Sequence, residues 1–196
     1  AAGRGTKSLL VQAASLRSGG VGQVLSADVH EFKVRLVEDR LARLGVPHVD
    51  SVVADTTDPA SVARLGGACS ADVVLVDAPC TGLGTLRRHP EKRWRVAPSD
   101  IDKLAGIGSD MLRTAARLVR PGGFVVYSTC TMTHRENGAV VGGFLGSDEG
   151  KGFRVADIGD TIPSGWEGFV TPEGFFASLP RHGGPDGHFA AVLSRV

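Results

Sequence analysis

Along the chain the apolar positions change period repeatedly, between the three-and-four spacing of a helix and the short unbroken runs of a buried strand. Residues 5 to 17 carry Leu9, Leu10, Ala13 and Leu16 on helical spacing before the sequence RSGG stops them. QVLSAD, residues 23 to 28, then reads as a short strand. From Glu31 onward, Val34, Val37, Leu41 and Leu44 predict a helix closed by Gly45 and Pro47. VDSVVAD is the next strand, and Asp58 ahead of Pro59 predicts a short capped helix over residues 59 to 65. ADVVLVDAP is a continuous apolar run, the pattern of a central parallel strand covered on both faces. Ser99 and Asp102 predict a capping box ahead of Ile101, Leu104, Ala105, Met111, Leu112, Ala115 and Leu118, a helix ended by RPGG. FVVYST is a further strand, and Thr133 with Glu136 predicts a second capping box before a helix through Val140, Val141 and Phe144. Beyond residue 147 the chain is rich in Gly and Pro, with FRVADI and HFAAVLSRV as the closing strands.

Strands and helices in alternation argue for an open α/β sheet with right-handed crossovers, in which ligands bind beyond the carboxyl ends of the strands. Asp28, Asp55, Asp77, Thr129 and Cys130 all fall at such ends. One acid after a strand is commonly a helix cap; several at one sheet edge point to a site. Gly3 and Gly5 precede the helix that starts near Thr6, whose amino terminus favours negative charge. The loop matches neither GxGxxG nor a full P-loop. Asp28 stands where the acid after the second strand of a nucleotide-binding unit would hold a ribose hydroxyl, which suits adenosine in a nicotinamide dinucleotide or in S-adenosylmethionine.

Composition narrows the choice. A chain of 196 residues, 42% hydrophobic, supports one full core. Its 22 Lys and Arg nearly balance 21 Asp and Glu, so a nucleic-acid partner must be read from a local patch. RRHPEKRWR, residues 87 to 95, is such a patch, with His89 and Trp94 among five basic residues. Arg87, Arg88, His89, Lys92 and Arg93 are the candidate phosphate contacts, set against the plainer reading of a solvated helix face. No stretch approaches 18 apolar residues and the start lacks the layout of a secretory signal, so an intracellular, soluble chain is expected. The three cysteines, Cys69, Cys80 and Cys130, form no CxxC pair and no disulfide framework; a reducing compartment and no metal are expected. Cys80 and Cys130 each lie just past a buried strand. If those strands are neighbours, about 4.8 Å apart, the two thiols approach one small pocket. Buried apolar cysteines, or a disulfide, are the alternatives.

DAPCTGLGTLRRHPEKRW and YSTCTMTHREN resemble the signature loops of the Nop/Sun RNA cytosine-5 methyltransferases, and LPRHGGPDGHFAAVL resembles their closing strand motif. The resemblance implies a Rossmann-like class I methyltransferase sheet, mostly parallel with an antiparallel final strand. It implies S-adenosylmethionine as cofactor, RNA (ribosomal or transfer) as substrate, and a cytoplasmic location. Carbon 5 of cytosine is a poor nucleophile, so a thiolate must first add at carbon 6 and push electron density toward carbon 5. By similarity Cys130 is that nucleophile, Cys80 assists release, and Asp77 steadies the ring edge and lines the cofactor pocket. Asp28 is expected at the cofactor's ribose, Asp55 near its adenine, and the loop of Ala2, Gly3, Arg4, Gly5, Thr6 and Lys7 at its methionine end. Residues 1 to 196 are expected to form a single catalytic domain, without the first strand or an amino-terminal RNA-binding region in the sequence given. The family's first loop usually reads Ala-x-Pro-Gly-Gly-Lys-Thr. Aligned on Lys7, this chain has Arg4 at the proline and Thr6 at the second glycine. Those departures motivate a rival reading, a catalytically weak S-adenosylmethionine or RNA-binding module. A nicotinamide-dependent oxidoreductase gives no use for two cysteines, and an adenine amino-methyltransferase would carry Asn/Asp-Pro-Pro-Tyr/Phe in place of DAPC.

Overall fold

The computed structural model describes residues 3–19 and 22–196, and the chain divides into two compact units, Ala1–Gly67 and Ala68–Val196. In the first unit, helix α1 (Thr6–Arg17) leads to strand β1 (Val24–Asp28), helix α2 (Glu31–Leu44), strand β2 (Val49–Val53) and a 3-10 helix, Pro59–Leu65. β1 and β2 are parallel, in register from Val24 against Val49 to Asp28 against Val53. The three-and-four spacing of α2 places Val34, Val37 and Leu41 on one buried face. Gly45 then stops the helix at φ 60°, a left-handed conformation that only glycine adopts without strain. Asp58 caps the 3-10 helix, accepting the Ala60 N–H at 2.9 Å.

The expected apolar stripe of α1 faces outward. Leu10 and Leu16 are exposed, whereas Ser8 and Gln12 are buried. The reason is a polar contact between the Ser8 and Ser26 hydroxyls, which turns that row of the helix toward β1.

The second unit runs β3 (Ala71–Asp77), a single-turn helix α3 (Lys92–Arg95), the long helix α4 (Pro98–Leu118), β4 (Val119–Thr129), α5 (Gly138–Leu145), β5 (Phe153–Val155), β6 (Phe176–Ser178) and β7 (His188–Arg195). Its sheet has the order β3-β4-β7-β5, with β6 also on β7. β3 and β4 are parallel and joined through α4, while the final strand β7 is antiparallel to β4. The fold is α/β with a mixed sheet, as the alternating pattern predicts. Val125 and Tyr127 of β4 and Phe189, Ala191 and Leu193 of β7 form one buried face. Met111, Leu112 and Ala115 of α4 and Val140, Val141 and Phe144 of α5 join them in one core. Each large apolar side chain buried there contributes about 1.5–3 kcal/mol. The core holds the ends of β3 and β4 in fixed register, and the candidate chemistry sits at those ends.

Three local expectations are corrected. The apolar run of β3 is not covered on both faces: β3 ends the hydrogen-bonded path of its sheet, and Val73 and Leu75 are exposed while Val76 faces the core. α4 begins at Pro98 rather than after Ser99, because the Asp100 carboxylate accepts the Ala97 N–H at 2.8 Å. Asp102 pairs instead with Arg135 at 2.8 Å. Finally, Thr133 and Glu136 make no capping box; Glu136 turns its carboxylate into the interior, where it accepts the Thr133 hydroxyl. No helix among the described residues is long and apolar enough to cross a membrane.

Candidate active site

β3 and β4 deliver Cys80 and Cys130, two of the three cysteines of the second unit. The parallel ladder reaches Asp77 against Ser128, and the Ala78 N–H donates to the Ser128 carbonyl at 2.9 Å. Beyond that point β3 leaves the sheet, β4 runs one residue further with Thr129 against Phe189 of β7, and the sulfurs of Cys80 and Cys130 lie 3.5 Å apart as free thiols. The expectation that neighbouring strands bring these thiols together therefore holds, and the disulfide alternative does not. Cys69, the third cysteine, is exposed, and its sulfur accepts a bond from Arg195 at 3.4 Å.

The two sulfurs are electrostatically unequal. A hydrogen bond from Cys80 favours the Cys130 thiolate; burial opposes it, the Lys92 ammonium favours it, and the Asp77 carboxylate opposes it. The balance lowers the Cys130 pKa from 9.0 to about 6. Cys80 is pushed the other way, first by the hydrogen bond to Cys130, then by burial and by the neighbouring negative charge. The hydrogen bond between them thus favours negative charge on Cys130 and the proton on Cys80. Helix α3 brings up Lys92, whose Nζ donates to the Thr85 hydroxyl at 3.2 Å.

Each cysteine is followed by a threonine, and one carboxylate ties the two together. Glu136, 1% exposed, accepts the Thr81 N–H at 2.6 Å and the Thr81 hydroxyl at 2.7 Å. It also accepts the hydroxyls of Thr131, at 3.2 Å, and Thr133. The Thr81 and Thr131 hydroxyls contact each other at 2.9 Å. Asn137 adds a second clasp, accepting the Thr129 hydroxyl at 2.6 Å and donating to the Thr131 carbonyl at 3.0 Å. The Tyr127 hydroxyl donates to the Glu136 carbonyl at 2.8 Å, and burial above all pushes its pKa up. Sequence reasoning missed Glu136 as part of the site. Its only signal was an acid three residues after a threonine, which reads equally as a helix cap.

Gly84 closes the Cys80 loop against the Cys130 loop. Its N–H donates to the Cys130 carbonyl at 3.0 Å, and its carbonyl accepts the Gly187 N–H at 2.8 Å. A Cβ at Gly84 would overlap the Gly187 carbonyl and come within 2.8 Å of the Cys130 carbonyl oxygen. Because both neighbours are backbone, Gly84→Ala is expected to cost about 3 kcal/mol of stability. A urea unfolding midpoint equal to that of the parent chain would contradict this close packing.

The expected cofactor residues belong to the first unit. Ala2 lies outside the described residues. Gly3 and Gly5 have φ of 58° and 75°, a left-handed turn that opens α1. The Gly3 N–H donates to one oxygen of Asp28 at 3.2 Å, and the His30 N–H to the other at 3.0 Å. Burial raises the Asp28 pKa, but those two N–H donors and Lys33, at 3.7 Å, outweigh it and keep the carboxylate ionised. Asp28 is 2% exposed, and each oxygen retains a second lone pair for a ligand hydroxyl. The departures Arg4 and Thr6 are exposed; Arg40 donates to the Arg4 carbonyl at 3.0 Å and to the Thr6 hydroxyl at 3.1 Å. Lys7 is exposed in the first turn of α1. Asp55 accepts the N–H and hydroxyl of Thr57, which lower its pKa. With Ala54, Asp58, Ala60, Ser61 and Arg64 it lines a cavity of about 290 Å³. The buried Ser61 hydroxyl has no hydrogen-bond partner. A cradle of glycine backbone, a buried acid and a polar cavity with an unsatisfied hydroxyl fits an adenosine-bearing ligand.

The basic segment is only partly available to a ligand. Arg87 donates to the carbonyls of Arg181, at 2.8 Å, and Gly184, at 3.0 Å. Arg88 pairs with Asp186, and His89 with Glu91 at 3.4 Å. Arg93 and Arg95 are exposed, and between them Trp94 is 85% exposed. Among the described residues no cluster of His, Cys, Asp and Glu is arranged to hold a metal ion.

A family model described as 16S rRNA methyltransferase RsmB/F matches residues 1–194. The probable ribosomal RNA small subunit methyltransferase B of Synechocystis is 35% identical over 91% of this chain and 39% of its own length. The Bacillus subtilis protein of the same description is 36% identical over 89% of this chain and 38% of its own. The chain thus spans about two fifths of those relatives. Among solved structures, NSun6 of Pyrococcus horikoshii with SFG superposes with a TM-score of 0.77 at 28% identity, covering 100% of this chain and 46% of that one. Sequence and fold agree, and the chain belongs to the RsmB/F family of S-adenosylmethionine-dependent RNA methyltransferases.

Proposed function

We propose that residues 1 to 196 form a single catalytic domain that methylates carbon 5 of a cytosine in ribosomal or transfer RNA, through a covalent bond to Cys130. The observation that carries this reading is the thiol pair: sulfurs 3.5 Å apart at the ends of adjacent parallel strands, one favoured as thiolate and the other as thiol. A thiolate beside a protonated thiol is what addition to a pyrimidine and later release require. Cys130 adds at carbon 6, forming the sulfur–carbon bond and moving an electron pair toward carbon 5. S-adenosylmethionine, when bound, supplies the methyl group that carbon 5 takes. Once the carbon 5 proton has passed to water, the electrons of that C–H bond reform the ring double bond and expel the Cys130 thiolate. Cys80 assists this release, and Asp77 steadies the ring edge during addition.

In the first unit Gly3, Arg4, Gly5, Thr6, Lys7 and Asp28, together with Ala2, hold the cofactor's methionine and ribose ends. Asp55 and Ser61 face its adenine. Arg93, Arg95 and Trp94 supply phosphate contact and a stacking surface for RNA, and Lys92 reaches the thiols. Arg87 and Arg88 act on RNA while fixing the loop through residue 186, and His89 adds a further RNA contact. A reducing cytoplasm suits the domain, because both thiols must stay unoxidised.

Incubation with labelled S-adenosylmethionine and cellular RNA, followed by base-resolution mapping, is expected to place label on 5-methylcytosine in ribosomal or transfer RNA. Label on another base would overturn the reading. Cofactor and RNA binding with no methyl transfer would replace it with the weak binding module.

A further inference from the structure

We propose that Glu136 is a positioning residue for the thiol pair, a buried crossbar whose carboxylate joins the residue after Cys80 to the residue after Cys130. The inference rests on the cytosine reading for its catalytic meaning, although its geometry stands alone. The β3–β4 ladder fixes backbone positions only as far as Ala78 and Ser128. Cys80 and Cys130 lie two residues beyond that point, where strand pairing no longer sets the distance between side chains. Past the sulfurs, Glu136 gathers the Thr81 N–H and the hydroxyls of Thr81, Thr131 and Thr133 on one carboxylate. A group with four donors and 1% exposure is fixed in place by its partners, and fixes them in return. Losing the acceptor would leave buried donors unsatisfied and loosen both loops at the residue next to each sulfur, with only the Gly84–Cys130 backbone bond and the Asn137 clasp left to hold them. The separation of 3.5 Å between sulfurs, on which the division of proton and charge depends, would then relax.

The sign of the response separates this role from simple electrostatics. The charged and titratable groups about the thiols are Asp77 of β3, Lys92 of α3, Tyr127 of β4 and Glu136 itself. Neutralising Glu136 removes a negative charge, which by Coulomb's law alone would make Cys130 easier to ionise. Loosening the pair removes the hydrogen bond from Cys80, which makes Cys130 harder to ionise. Positioning therefore predicts an upward shift where charge alone predicts a downward one.

The test follows alkylation of Cys130 by iodoacetamide against pH in the full-length protein, read by peptide mass spectrometry so that Cys69 and Cys80 are scored separately. The parent protein is expected to titrate near pH 6. Glu136→Gln, of nearly equal volume, is expected to raise that midpoint by about 1 unit. It is also expected to lower kcat by about 30-fold while leaving KM for RNA within about 2-fold, the pattern of lost positioning. A midpoint that stays or falls in a cooperatively folded Glu136→Gln overturns the proposal. If that variant does not fold, Thr131 decides: Thr131→Val should raise the midpoint, and Thr131→Ser, which keeps the hydroxyl, should restore it. Equal midpoints for Thr131→Val and the parent overturn the proposal in that case. Because alkylation needs no methyl transfer, a raised midpoint in a protein that methylates no cytosine keeps the positioning role and sinks the cytosine reading. An unmoved midpoint in an active methyltransferase does the reverse.

Discussion

Cys130→Ala is expected to abolish methyl transfer, by a factor of about 10⁴ or more, while the protein still folds and binds RNA. The alanine removes the sulfur of the pair that is favoured as thiolate, and Cys80, favoured as thiol, is a poor substitute. The side chain is half-buried, so its truncation leaves the core beneath Tyr127 and Phe189 in place. Thermal unfolding beside the parent protein separates lost chemistry from lost structure. A well-folded variant with more than a tenth of the parent rate would remove Cys130 from the nucleophile's role. The parent rate itself should fall about tenfold per pH unit below pH 6 and level off above it. An unperturbed thiol would still be gaining activity toward pH 9.

Cys80→Ala is expected to do something different: to trap the enzyme on its RNA. The substitution has two effects of opposite visibility. It removes the hydrogen bond that lowers the Cys130 pKa, which slows addition at neutral pH. It also removes the group that assists release, which makes every completed addition persist. Raising the pH repairs the first defect without repairing the second. Turnover should therefore drop about 100-fold at all pH values, while a covalent protein–RNA band in denaturing gels grows as the pH is raised. A variant that turns over freely without adduct would assign release to another group. The double variant with Cys130→Ala should show no adduct at any pH.

Much of this site is legible in the chain because strand ends are local features. An apolar run followed by DAPC or STC places a cysteine at a sheet edge whatever the remainder of the fold does. The adjacency of the two runs is the common outcome for consecutive strands joined by one helix, here α4, since such strands neighbour one another roughly two-thirds of the time. What the sequence hides depends on groups far apart in it. Glu136 meets Thr81 across 55 residues, and no period or spacing announces that a threonine after one cysteine shares a carboxylate with a threonine after the other. The orientation of α1 was also hidden, because a hydroxyl contact between Ser8 and Ser26 outweighs a weak apolar stripe. The same holds for the start of α4, where Asp100 caps the backbone and two acids compete for one role. The basic run around residue 90 concealed a division of labour: Arg87 and Arg88 grip the chain near residue 186, Lys92 turns in toward Thr85, and Arg93, Trp94 and Arg95 are exposed.

That division gives the domain an uneven freedom to change. Near the sulfurs, Gly84 has no room for a side chain, and Gly108 faces the Tyr127 hydroxyl, where a Cβ would fall within 2.6 Å. Drift there damages the fold before it can alter specificity. Arg93, Trp94 and Arg95 rest on nothing that the thiols need. Those three positions can be substituted without disturbing the packing that holds the sulfurs.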